Sequence, residues 1–334
     1  MSLLGTRPAD VVGARRASAV LPASPGPVST GTTSTGASSA GAARTTSLRA
    51  RPGTGPATGR LARARRHPLA RPGALVALLV VTVVVAWALV PTAFTSADPI
   101  TGVPADNLLP PSAAHWFGTD HLGRDLFART VHGTGLSLQA AAVAIVIALG
   151  AGSLLGLVAG FVGGRVDDVL MRLTDVLLAI PGLLLSLAVV TVLGFGTLKV
   201  AIAVGVASVA TFARVMRAEV LRVRSATYVE AARLAGARRG SVVVRHVVPN
   251  AAGPVLALAT IELGTVVLAV SALSFLGFGA IPPTPEWGSL VAEGRNYLAT
   301  AWWYSTLPGL VVAVVVLSAG RLGRAFERGG RTAR

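Results

Sequence analysis

Residues 228–250 read YVEAARLAGARRGSVVVRHVVPN. The stretch lies between long apolar runs, yet it carries Glu230, Arg233, Arg238, Arg239, Arg245 and His246. Hydrocarbon cannot hydrate such a cluster, so the segment reads as an aqueous loop between two membrane spans, a surface offered to a partner. Residues 228–235 hold three alanines and no Gly or Pro, which predicts a short helix whose small side chains let another surface come close. Gly236 then breaks the run, because a residue without Cβ tolerates the positive φ of a sharp turn. Pro249 is expected to stop a second segment. The alternative is an ordinary amphipathic surface loop in which Glu230 pairs with Arg233 one turn on.

Composition sets the class. Of 334 residues, 52% are hydrophobic and 13% charged, and the mean hydropathy is +0.67, too apolar for a soluble protein of this length. The expected fold is an all-α integral membrane protein of six transmembrane helices. There is no cysteine, which excludes disulfides and thiolate metal sites. Arginine outnumbers lysine 29 to 1 and the net charge is +16, which raises nucleic acid as a partner; the distribution of the charge argues against it.

Outward from the loop, residues 1–72 read as a disordered cytoplasmic tail, with 29–42 almost wholly Gly, Ala, Ser and Thr, and with Arg60, Arg63, Arg65, Arg66 and Arg71 leading into the first span, 73–94. That basic and apolar pairing is like a signal peptide, but the apolar run is long enough to span and lies far from the start. Residues 95–136 are expected to be a polar extracytoplasmic segment, and 137–320 a core of five further spans, with the loop region at 217–250. The second span, 137–162, carries Gly152, Gly156 and Gly160 at intervals of four, a groove for close helix packing, either within the bundle or against another subunit. The third, 171–193, is expected to kink at Pro181, with Asp175 near the membrane edge pairing with Arg172 or Arg165. A tight 194–196 turn leads to the fourth, 200–215; the fifth is 251–275, the sixth 307–319, and 321–334 is a basic tail. Trp287, Tyr297, Trp302, Trp303 and Tyr304 are expected to form an aromatic belt at one interface. With both termini inside, every basic residue lies on the cytoplasmic side except Arg124, Arg129, Lys199 and Arg295. This obeys the positive-inside rule, accounts for the net charge without nucleic acid, and leaves membrane lipid as a partner.

Glu230-Ala231-Ala232, Gly236 and the closing Pro249-Asn250, with Tyr228 and His246 in the same block, resemble the EAA loop of binding-protein-dependent ABC importer permeases. Four other blocks resemble that family in the same order. Residues 117–125, FGTDHLGRD, followed by Arg129 and Gly133, look like the signature of its dipeptide, oligopeptide and nickel class. Gly163 to Pro181 fits GGxxDxxxMRxxDxxxxxP, and 273–279 (LSFLGFG) and 282–288 (PPTPEWG) complete the set. Departures are Val270, where the family usually has glutamate, and 320–328, which lacks the family's usual acidic residues.

The resemblance implies a C-type permease subunit that pairs with a second homologous permease, two cytoplasmic ATP-binding subunits and an extracytoplasmic substrate-binding protein. ATP and Mg would be bound by those partner ATPases, this chain would hold no cofactor, and it would be no enzyme; it contains no GxxxxGK[ST] phosphate loop. Glu230 would be the polar anchor of the docking loop, Ala231 and Ala232 its close-contact surface, and Gly236 its hinge. Solutes in view are peptides, nickel complexes and small glycans. From the residues themselves, Gly118 and Gly123 permit turns, while Thr119 lies within the block and Asp120, Arg124, Asp125 and Arg129 can form an ion-pair network. His115, Asp120, His121 and Asp125 offer metal-ligand types in a spacing that fits no recurrent set, so no metal site is expected. Glu262 lies deep in a span and therefore faces a pathway, a subunit interface or an internal partner; Asp175 and Pro181 are grouped with it. A self-sufficient secondary transporter or channel is the alternative function, disfavoured because only Glu262 is ionisable at depth. A membrane scaffold without transport would leave the docking loop unexplained.

Overall fold

The computed structural model describes residues 72–332, with side chains to 325; the expected tail and its arginines, and the end of the basic C-terminal segment, lie outside the described residues. Among the described residues the regular structure is helical: α1 (Pro72–Leu89), α2 (Leu126–Val162), α3 (Gly164–Ala179), α4 (Gly182–Leu193), α5 (Thr197–Arg224), α6 (Thr227–Leu234), α7 (Arg239–Val242), α8 (Val248–Phe275), α9 (Trp287–Gly294) and α10 (Trp302–Thr332). One isolated bridge, Thr119 to Asp125, pins the loop before α2.

The α2–α5 pair is the spine. A Cβ on Gly152 would meet Val209 and Phe212, one on Gly156 would overlap Ala213 and Met216, and one on Gly160 would meet Val220; Gly205 likewise lies on Ala144 and Ile147. The glycine row is thus filled by the chain's own α5, which resolves the choice between bundle and subunit packing at these positions. Because contacts advance together along both helices, α2 and α5 run parallel. The chain must therefore cross back between them. That return is α3 and α4, two helices bent by 96° at Ile180 and Pro181, each alone shorter than the ~30 Å of hydrocarbon. Among the described residues five single helices are long and apolar enough to cross, and the bent pair makes the sixth crossing.

The expected kink at Pro181 is thus a full corner. Ile180 (ψ 129°) and Pro181 (ψ 128°) are both extended, so the helix stops and restarts in a new direction. Along α3, Asp167 accepts two hydrogen bonds from Arg217 of α5, one at 2.7 Å from Nη2, and Asp175 pairs with Arg214 at 2.8 Å rather than with Arg172 or Arg165. Both partners lie on α5, 50 and 39 residues away, which local spacing could not reveal.

Two further boundaries move. The helix α2 begins at Leu126, inside the segment expected to be polar loop, because Asp125 Oδ1 caps it by accepting from Ala128 N at 2.7 Å. Its first turns hold polar residues that bond back to their own helix, Thr130 to Leu126 O, His132 to Ala128 O and Thr134 to Thr130 O. Pro249 does not stop the second loop segment: it sits in the first turn of α8, where a proline lacks nothing it needs. The π-turn at Val243–Val247 absorbs the carbonyl its ring would strike, so one 37-residue helix runs from Arg239 to Phe275.

The remaining helices wrap this spine. Gly264 of α8 lies on Val316 O of α10 and Gly323 of α10 on Ile261, an antiparallel pair, and α1 leans on α10 and α2 while exposing Leu75, Val76 and Leu79. One apolar core joins Ala144, Val204, Val266, Val270 and Trp287; a second, nearer the basic loop, joins Phe212, Met216, Val220, Val229, Val242 and Val247. The aromatic belt is mostly absent from the surface. Trp287, Trp303 and Tyr304 are buried, Trp287 Nε1 donating to Thr130 O at 3.1 Å, while Trp302 is exposed. Trp287 and Tyr304 each found an internal acceptor, which removes the reason to sit at an interface.

Candidate functional site

The basic loop is held from beneath and bare on top. Val229, Val242 and Val247 are fully buried in the core, whereas Tyr228, Leu234 (84% exposed) and Val244 (69% exposed) point out among the charges. The helix α6 ends as the sequence requires: Gly236 has φ +83°, Ala237 N donates to Ala232 O at 3.1 Å and Gly236 N to Arg233 O at 3.0 Å. Glu230 and Ala231 are exposed and Ala232 half-buried. Arg233 leaves Glu230 alone and lies over the Phe161 ring at 5.8 Å, tying the loop to the end of α2. The Tyr228 and His246 rings approach to 6.4 Å, and Asn250 Nδ2 donates to His246 O at 2.7 Å, so Asn250 serves its own helix. Large exposed apolar side chains are interleaved on this short hairpin with arginines that meet no carboxylate among the described residues, a composition suited to contact with another protein.

On the opposite face the FGTDHLGRD block folds as a knot. Gly118 and Gly123 take φ +73° and +72°, and Thr119 Oγ1 donates to Asp106 O while accepting from Leu109 N at 2.8 Å. Asp120 is fully buried: Oδ1 accepts from Leu122 N and Arg124 N, and Oδ2 from Arg124 Nε at 2.6 Å, with Arg129 Nη1 3.3 Å away. The second carboxylate of the network is not Asp125 but Glu293 of α9, which meets Arg124 at 3.5 Å and Arg129 at 3.3 Å and accepts from Tyr304 Oη at 2.9 Å. Asp125 instead caps α2 and faces His115 Nδ1 at 2.8 Å. The four residues of the metal reading are thus split. Asp120, His121 and Glu293 do come together, but two guanidinium groups already neutralise those carboxylates.

A cavity of about 410 Å³ opens at the corner between α3 and α4, floored by Ile180, Pro181 and Gly182 and walled by α5 and α8. It joins two of the three residues grouped as pathway candidates, Glu262 and Pro181; Asp175 is not among its lining residues. Sequence reading missed its hydroxyls, Ser186, Ser208, Thr211 and Thr265, because single Ser and Thr residues in spans give no signal until the helices are assembled.

Residues 152–332 match the family of binding-protein-dependent transport system inner membrane components. The chain belongs to that family and is a permease subunit of an ABC importer, a multi-pass protein of the cell inner membrane. It is 37% identical over 250 residues to a dipeptide transport system permease protein of Alkalihalophilus pseudofirmus, covering 75% of this chain and 82% of that one. It is 40% identical over 257 residues (75% and 85%) to a di/tripeptide transport system permease protein of Pseudomonas aeruginosa, and 39% over 213 residues (64% and 71%) to a glutathione transport system permease protein of Pectobacterium atrosepticum. A solved structure of an amino acid ABC transporter with histidines matches at 17% identity and a TM-score of 0.47, over 60% of this chain and 94% of that one. Family membership does not favour the reading as a self-sufficient transporter or channel.

Proposed function

We propose that this chain forms, with a second homologous permease, the passage through which peptides or closely related small solutes are imported, and that the 227–247 hairpin receives the stroke of two separate cytoplasmic ATPases. In this reading ATP and Mg bind those partners, and an extracytoplasmic binding protein delivers the solute to the opposite face. The observation that carries it is the hairpin itself: anchored by Val229, Val242 and Val247, yet presenting Tyr228, Glu230, Leu234 and Val244 outward. Peptides are favoured because the relatives named above are di- and tripeptide and glutathione permeases. Closure of the ATPases would draw the hairpins together, and rigid-body rocking would open the passage to the other side.

The test is Glu230→Arg in the complete complex reconstituted in vesicles. The Glu230 carboxylate bonds nothing in its own chain among the described residues, so membrane insertion should be unchanged while ATP-driven peptide uptake falls at least about tenfold, the scale of losing one interfacial ion contact and gaining repulsion. Uptake at the parental rate would remove the docking role.

A further inference from the structure

Among the described residues Glu262 is the single ionisable one lining the cavity at the α3–α4 corner; it sits near the middle of α8, and Ser208, near the middle of α5, lines the same space. Among the described residues no hydrogen bond or ion pair reaches it. Carboxylates elsewhere in the fold are answered by named groups: Asp120 and Glu293 by arginines, Asp167 by Arg217, Asp125 by a helix amide. A carboxylate left without a partner at mid-membrane depth is costly, and is retained where a cation or polar solute visits. The walls around it are suited to such a visitor. Ser208, Thr211 and Thr265 supply hydroxyls, Leu177, Leu183 and Val204 supply apolar contact, and no arginine or lysine lines the space to compete. Ser186 spends its proton on Gly182 O at 2.7 Å and so faces the cavity as an acceptor. The volume admits a solute of dipeptide size.

We propose that this cavity is a binding site for a protonated amine, the amino end of the transported peptide, with Glu262 as its counter-ion. This rests on the peptide reading above. The apolar corner residues would contact side chains weakly and without discrimination, while the charge pair fixes which end of the peptide enters against α8.

The chain contains no cysteine, so a single Ser208→Cys or Thr265→Cys gives it one thiol, and labelling of this chain over the unsubstituted complex as blank reports on the cavity. In the assembled complex, labelling by a trimethylammonium methanethiosulfonate should outrun labelling by its sulfonate counterpart about tenfold after correction for free-thiol reactivity, as expected of one uncompensated charge a few ångströms away. Adding Glu262→Gln should bring the ratio to about one. Alanyl-alanine should slow the labelling and N-acetyl-alanyl-alanine, the same peptide without the ammonium, should not. The proposal is overturned if neither cysteine reacts, if Glu262→Gln leaves the ratio unchanged, or if the two peptides protect alike or not at all. Uptake of alanyl-alanine by the unsubstituted complex is scored separately. A complex that shows the charge-dependent labelling but imports no peptide keeps the amine site and loses the peptide reading, and one that imports peptide with no charge dependence does the reverse.

Discussion

Glu286 is the residue whose environment departs furthest from its chemistry. It caps α9 from a fully buried position, Oε1 accepting from Gly288 N at 3.4 Å, while Oε2 has no hydrogen-bond partner and Ser271 and Ser274 hydroxyls nearby are equally unpaired. Burial pushes its carboxyl above the ordinary glutamate value of 4.5, so the fold favours the protonated form. The sign follows: its contribution to stability is complete below 4.5 and is lost as pH rises through the raised value. The melting temperature of the purified complex should therefore fall with rising pH, and Glu286→Gln, which keeps the shape but cannot ionise, should flatten that slope. A slope identical in the two proteins would show that the group does not titrate in the fold. Nothing in the sequence marks this residue as buried; it reads as one more charge in a proline-rich loop. Glu293 was hidden for another reason, since its arginines lie 164 and 169 residues away.

At the scale of elements, the glycine seam and the glycine turn make separable predictions. Gly156→Val would force Cβ into Ala213 O and should cost at least about 2 kcal/mol, measured as a lower melting temperature and less folded protein in membranes, because overpacking parts two helices that touch backbone to backbone. Gly150→Ala, where a Cβ meets nothing within 4 Å, should leave both unchanged. Gly236 is different again. Its φ of +83° disfavours any Cβ, although space around it is open, so Gly236→Val should leave the bundle intact, cost the hairpin about 1–2 kcal/mol of local strain, and raise ATP hydrolysed per peptide imported. Hydrolysis and uptake falling in proportion would mean the turn does not transmit. The seam and the turn were both legible in the sequence, because glycine spacing and a glycine after an alanine helix are local signals. The corner at Pro181 was legible only as a kink, since its angle is set by the parallel run of α2 and α5, which no local pattern records. Pro249 misled for the same reason: the π-turn that accommodates it is a property of the neighbouring turn.

For the whole molecule, the placement of charge predicts an orientation. Among the described residues the face bearing Arg165, Arg214, Arg217, Arg222 and the hairpin arginines is strongly basic, while Arg124, Arg129, Lys199 and Arg295 mark the other. On the cysteine-free chain, Arg238→Cys should react with an impermeant maleimide only in inside-out vesicles, and Lys199→Cys only in intact cells. Labelling of position 238 from outside would place the hairpin beyond the reach of any cytoplasmic ATPase.

The rod from Arg239 to Phe275 is about 55 Å long, roughly 25 Å more than the hydrocarbon it crosses. Its far tip reaches the turn where Gly196 N bonds Phe278 O at 2.9 Å. On the docking reading proposed above, a motor gripping the near tip would hold the short handle of an oar whose blade lies across the bilayer. A tilt of a few degrees at the grip, with lipid as the rowlock, sweeps the blade by several ångströms, and needs no relay of side chains to carry it.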